Sequence, residues 1–175
     1  LSSRRQRQMC IRDSYWAGAM TPYWDGQARG AFVGLSGLHG KAHLYRAVLE
    51  GLALEQRLII EGIEATTGQH ISEIRALGGG SYSRVWCQIL SDVLCRPIHL
   101  VNEQESTALG AGMLAAAAGG VHADILSAAK NMSGVGHAYQ ADETKSNAYN
   151  DIFDTYKDIY PSLKQTFGKL AKIRT

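Results

Sequence analysis

Three consecutive glycines, Gly78, Gly79 and Gly80, followed by Ser81 and Ser83, are the residues of this sequence best suited to handling an anion. Glycine takes positive φ without steric cost and lets another molecule come close to the backbone. The stretch that follows, VWCQILSDVL, carries apolar residues at helical spacing, so the glycines are expected to lead directly into a helix N-terminus. At such a start, N–H groups without intrahelical partners and the helix dipole favour negative charge. Phosphate is the obvious anion. The run is not a Walker A loop, because no Gly-Lys-Ser/Thr follows it. Taken alone, a glycine run of this kind is more often only a tight turn.

Two other spacings resemble functional signatures and are set aside. Gly110-Ala111-Gly112-Met113-Leu114-Ala115 satisfies G-x-G-x-x-A, but it lies inside a predicted helix rather than between a strand and a helix. Close helix packing explains it better. His39 and His43 are spaced like a zinc pair, yet the glutamate of HExxH is absent and Gly37 and Gly40 disfavour helix at His39. No metal ligands and no catalytic residue are assigned.

The elements that must position the glycines alternate between strand and helix. Ahead of them, Phe32, Val33 and Leu35 suit a short strand. His43 to about Thr67 reads as a long helix with Leu44, Val48, Leu52, Ala53, Leu58, Ile59 and Ile63 on its apolar stripe. Gly68 is its expected stop. A strand around Glu73 to Leu77 leads into the glycines. Ser81 or Ser83 can cap a helix to about Leu94, with Val85, Ile89, Val93 and Leu94 facing inward. Pro97 to Val101 is a second strand. A helix of little bulk, Thr107 to Ala118, is expected to press tightly on a neighbour. A short helix (Val121 to Asn131), a strand-like stretch (Gly134 to Tyr139) and a last helix (Glu143 to Ile173, kinked or broken at Pro161) complete the pattern. The stripe Tyr149, Phe153, Tyr156, Tyr160 reads as a docking face. Trp86 is either core or close to the ligand. Alternation of this kind points to an α/β layered domain.

Composition narrows the function class. A net charge of +2 gives no electrostatic case for nucleic acid or a membrane surface as partner. No apolar run reaches the roughly 20 residues of a membrane span. Cys10, Cys87 and Cys95 form no CxxC and no even-numbered framework, which favours a reducing compartment and a cytoplasmic setting. Residues 1–14, LSSRRQRQMCIRDS, differ in texture from the rest and look grafted on. They are expected to be a non-native segment, with the native domain fragment running over 15–175.

Four blocks carry a specific resemblance. GGGSYSRVWCQILSDVLCRPI is similar to the adenosine-binding segment of FGGY carbohydrate kinases, members of the actin-like ATPase superfamily. Gly30-Ala31-Phe32-Val33-Gly34-Leu35, then seven residues, then His43-Leu44-Tyr45-Arg46-Ala47-Val48-Leu49-Glu50 resembles that family's second signature. Glu105-Ser106-Thr107-Ala108-Leu109-Gly110-Ala111 resembles its ETTALGAA block, and TPYWDGQARG its PYWDPxARG. The resemblance covers about Tyr23 to Gly120 closely and the tail loosely. It implies a ribonuclease-H-like fold, truncated at its N-terminal side, in the ATP-binding C-terminal domain of a two-domain kinase.

The resemblance further implies ATP and Mg²⁺ as cofactors, with Gly78, Gly79, Gly80, Ser81 and Ser83 along the nucleotide. It implies transfer of the γ-phosphoryl group to a sugar hydroxyl, with a xylulokinase-like pentulokinase as the favoured subtype. Such transfer needs positioning, charge neutralisation and a base. The family's base is an aspartate upstream of this stretch, so the fragment itself is expected to be inactive. The sugar or polyol partner would bind through the missing N-terminal domain, and a homodimer is left open. Glu105 reads either as a residue near the nucleotide cleft or as a helix-entry acid. His43 and Glu50 read as structural. The alternative is an actin- or Hsp70-like ATPase domain without sugar chemistry.

Overall fold

The structure is a computed structural model and describes residues 10–12, 19, 21–102 and 105–173. Most of the segment 1–14 lies outside the described residues. Cys10–Arg12 (β1) pairs antiparallel with Ala31–Val33 (β2). The chain divides into two compact units. One comprises Leu1–Ile71, Asp92–Cys95 and Ala141–Thr175, the other Ser72–Ser91 and Arg96–Gln140.

The first unit is organised by two long helices, α1 (Lys41–Thr67) and α5 (Glu143–Leu170). Gly68 ends α1 as expected, with a φ of 67° and its N–H on the Glu64 carbonyl at 2.8 Å. The buried face of α1 differs from the apolar stripe read from the sequence. It holds Ala47, Glu50, Gly51, Ala53, Leu54 and Glu55, whereas Ile63 is exposed. The reason lies on α5. Its stripe Tyr149, Phe153, Tyr156 and Tyr160 is buried within this chain, and two of its hydroxyls donate to the carboxylates of α1. Tyr149 meets Glu50 at 2.7 Å and Tyr156 meets Glu55 at 2.5 Å. Small residues on α1 admit the rings, and the hydroxyls supply the hydrogen bonds that buried carboxylates require. Arg57 adds a cation over the Phe153 ring, 4.3 Å from its centroid, and donates to Asn150 Oδ1 at 2.8 Å.

Pro161 neither breaks nor ends α5, which continues to Leu170. Buried Ile159 and Tyr160 before it and Phe167 after it hold both halves in the core. Tertiary packing of this kind overrides the lost N–H.

The second unit is a three-stranded sheet in the order β3 (Ile74–Ala76), β4 (Ile98–Val101), β5 (Val135–Tyr139). β3 and β4 run parallel, joined through α2 (Arg84–Leu94), and β5 pairs antiparallel with β4. This β3–α2–β4 crossover places the start of α2 at the carboxyl end of β3. Gly134 and Gly136 flank the side chain of Asn102 so closely that a Cβ on either would collide with it. The pairing of β4 with β5 shifts register between His99 and Val101.

On α2, Cys87, Ile89, Leu90, Val93 and Leu94 are buried, but Val85 is 58% exposed. Val85 shares a face with Ile89, four residues on, but sits in the first turn of the helix, where its end leaves the side chain exposed. α3 (Ser106–Ala118) packs on α4 (Ile125–Met132). It is not tightly pressed, because no residue of α3 whose burial is described is buried, and Leu114 is 59% exposed. Alanine and glycine offer little side-chain area to bury on a single neighbouring helix.

Candidate anion-binding site

β3 ends at Ala76, and Leu77 leads into the glycines. Gly78 has φ 80°, a backbone state that glycine adopts without strain. The chain then makes one 3₁₀ turn, Gly79–Tyr82, before α2 begins. The glycines therefore do not lead directly into the α-helix. The turn closes through Ser81 N–H to the Gly78 carbonyl at 3.0 Å and Ser83 N–H to the Gly80 carbonyl at 3.1 Å.

The two serines have separate roles. Ser81 Oγ donates back to the Gly78 carbonyl at 2.7 Å, so its proton is committed to holding the turn. Ser83 caps α2, its Oγ accepting from Trp86 N–H at 3.3 Å while its carbonyl accepts from Cys87 N–H at 2.9 Å. Of the two expected caps, Ser83 is the one formed. Ser83 is exposed and its hydroxyl proton remains able to donate outward.

The glycine backbone itself is open. A Cβ built on Gly79 would meet nothing within 4 Å, and Gly79 and Gly80 are both exposed. Among the described residues no acceptor takes the N–H of Gly79 or of Gly80. At Gly80 a Cβ would stand 3.4 Å from Trp86 Nε1, so Trp86 packs beside the turn. Beneath the site, burial raises the Cys87 thiol above its ordinary value, and its Sγ lies 3.5 Å from the Ser81 carbonyl. Cys87 is an inert floor. Two unclaimed backbone donors and one hydroxyl thus lie on an exposed turn that is bare at Gly79, which is what close approach by a phosphate requires.

The other sequence candidates take local positions on their own helices. Glu105 occupies the N-cap position of α3, exposed, and its side chain makes no capping bond. His43 Nδ1 accepts from Gly40 N–H at 3.1 Å, a start-of-helix role on α1, and Glu50 is buried against Tyr149. Among the described residues no three His, Cys, Asp or Glu side chains are grouped to hold a metal ion, and no helix is long and apolar enough to cross a membrane. The role of Trp86 beside Gly80 carries no signal in the sequence beyond its proximity, since an indole at helical spacing looks the same whether it faces core or turn.

Comparison with known proteins finds a matching family and fold. The model of the FGGY family of carbohydrate kinases, C-terminal domain, matches residues 3–119. A xylulose kinase of Staphylococcus epidermidis is 33% identical over 159 residues, 91% of this chain and 32% of that protein. The crystal structure of ligand-bound xylulose kinase from Lactobacillus acidophilus superposes with a TM-score of 0.85 at 28% identity, covering 94% of this chain and 33% of that one. Gluconate kinase from the same organism matches with a TM-score of 0.84 at 28% identity. The chain spans about a third of the length of these relatives.

Proposed function

Because the chain belongs to the FGGY family of carbohydrate kinases, as part of their C-terminal domain, we propose that it is the ATP-binding part of a sugar kinase and that Gly78, Gly79, Gly80, Ser81 and Ser83 line the nucleotide. The observation that carries this reading is Gly79. Gly78 is needed for its positive φ and Gly80 sits against Trp86, but nothing in the chain occupies the space a Gly79 side chain would fill. A bare position that the fold does not require is explained by a ligand resting on it.

In this role the Gly79 and Gly80 amides bind phosphate oxygens, and the Ser83 hydroxyl donates to the nucleoside end. Ser81 holds the loop in shape. ATP supplies the γ-phosphoryl group, and the sugar hydroxyl accepts it. Mg²⁺ would arrive on the phosphates, since no described cluster of this chain could cage it. The aspartate base that takes the hydroxyl proton would lie in a part of the kinase outside this chain, so the chain alone should bind nucleotide without turning over sugar. A pentulose such as xylulose is the favoured acceptor, on the wording HLYRAVLEGLALEQRL of α1 and the xylulose kinases among its relatives. The cytoplasm, where ATP is held, is the matching compartment.

Isothermal titration of the chain with Mg-ATP, beside a Gly79→Ala variant, tests this. The added methyl meets no protein atom, so the melting temperature should stay within about 1 °C. ATP affinity should fall at least about tenfold. Equal affinity in both proteins, or none in a folded wild-type sample, would refute the assignment.

A further inference from the structure

The first unit holds an aromatic side chain whose conformation the fold itself does not explain. Trp24 has φ 47°, in the left-handed region, and its side chain is 72% exposed. That backbone state is strained for a bulky residue. Burial of the ring would ordinarily offset the strain, and here the ring lies mostly in solvent.

The loop that imposes this conformation is firmly built. Ala19 and Asp25 exchange backbone hydrogen bonds, Ala19 N–H to the Asp25 carbonyl at 2.7 Å and Asp25 N–H to the Ala19 carbonyl at 2.8 Å. The Asp25 carboxylate accepts from Gln27 N–H at 2.8 Å and from the Tyr160 hydroxyl at 2.7 Å. Tyr23 stacks on Tyr160 with centroids 4.0 Å apart, and Ala28 is fully buried. Trp24 is therefore held outward by its neighbours on both sides. It is presented rather than loose.

It is presented over a hollow of about 460 Å³ lined by Tyr23, Trp24, Asp25, Gln27, Lys164 and Gln165. That size suits a small molecule. Apart from the two aromatic rings, the lining side chains are polar. Gln27 reaches α5, its Oε1 3.4 Å from where a Cβ on Gly168 would stand, so the bare backbone there leaves it room. Carboxamides both donate and accept, as hydroxyl groups do, and an ammonium adds further donors. An indole face offers a surface for the C–H side of a ring that carries hydroxyls at its edge.

We propose that this hollow is a binding site for a small polyhydroxylated ligand, a sugar or polyol, stacked on Trp24 and hydrogen-bonded by Gln27, Gln165 and Lys164. The site lies within the first unit and does not depend on nucleotide binding at the glycine turn, which belongs to the second.

Saturation-transfer NMR of the 175-residue chain with xylose, ribose, glycerol and ribose 5-phosphate tests it. Transfer to carbon-bound protons is expected with the wild type and with Trp24→Phe, which keeps a ring. It should fall at least about fivefold in Trp24→Gly, which loses the ring's contact area. Transfer to ribose, to ribose 5-phosphate or to both supports the site and shows which form it takes. The same glycine variant should melt higher than wild type, because its backbone is relieved of strain. The proposal is overturned if no probe shows transfer with the wild type, if Trp24→Gly leaves transfer unchanged, or if that variant melts lower.

Discussion

Replacing Tyr149 by phenylalanine removes one oxygen from a buried ion-pair network and nothing else. The Tyr149 side chain is 1% exposed and Glu50 is 6% exposed. The Glu50 carboxylate accepts from the Tyr149 hydroxyl at 2.7 Å and from Arg46 Nε at 2.7 Å, and Arg46 also reaches the hydroxyl at 3.1 Å. Burial, and then the adjacent Glu50 charge, push the Tyr149 phenol far above its ordinary value, so it is a neutral donor throughout the working range. A hydrogen bond to a charged acceptor contributes about 1.5–3 kcal/mol. Arg46 remains after the substitution, with its side chain 47% exposed, so a loss of about 2 kcal/mol is expected. For a chain of this size each kcal/mol moves the midpoint by about 2–4 °C, giving a drop of about 4–8 °C in thermal unfolding. Combined with Glu50→Gln, the double variant should lose less than the two single losses added, by about 1–2 kcal/mol. ATP affinity should be unchanged, since Glu50 and Tyr149 act here as structure. A Tyr149→Phe melt within about 1 °C of wild type, or strict additivity with Glu50→Gln, would refute the account of α1–α5 pairing.

Two further outcomes follow from local geometry. Ser83→Ala removes the side-chain acceptor for Trp86 N–H and should lower stability by about 1 kcal/mol in urea unfolding, while also weakening ATP binding in titration. Stability should depend on acid through Asp25, whose carboxyl is held below the ordinary aspartate value of 3.8 by the Tyr160 hydroxyl and then by the Gln27 amide. A folded value below the unfolded one contributes stability that is complete above 3.8 and is lost as pH falls through the folded value. Melts of wild type and Tyr160→Phe should differ at about pH 5 and converge towards about pH 2.5. A gap that stays constant over that range would remove Asp25 from the account.

Much of the fold was legible because it is written in local signals. The glycine stop at Gly68, the strands around 31–33, 74–76 and 98–101, and the extents of α1, α2 and α3 were read from periodicity and turn residues, and the structure places them within a few residues. What escaped is tertiary. A period counts apolar residues, so it chose Leu52, Leu58 and Ile63 for the stripe of α1 and passed over Glu50 and Glu55. Those glutamates are buried only because tyrosines roughly a hundred positions later meet them, and no window contains both partners. Pro161 failed as a helix break for a related reason, since burial on both of its sides outweighs the lost backbone bond.

At the glycine turn the sequence offers three identical letters, and the structure assigns them three different conditions. Gly78 is conformational, because its φ of 80° would strain any other residue. Gly80 is steric in a mild sense, with Trp86 at ordinary contact distance from an added Cβ. Gly79 is constrained by neither. Three glycines in a row enlarge the entropy lost on folding, so a position where the fold itself permits alanine is where a non-structural reason must be sought. The exposed, unclaimed amides of Gly79 and Gly80 supply that reason if a phosphate rests there. Serine spacing alone left Ser81 and Ser83 interchangeable. Their hydroxyls separate them, one turned back to the Gly78 carbonyl and the other left at the mouth of α2. A ligand that reads this turn would therefore lose affinity on substitution at Gly79 or Ser83, whereas substitution at Gly78 or Ser81 would act by deforming the loop first.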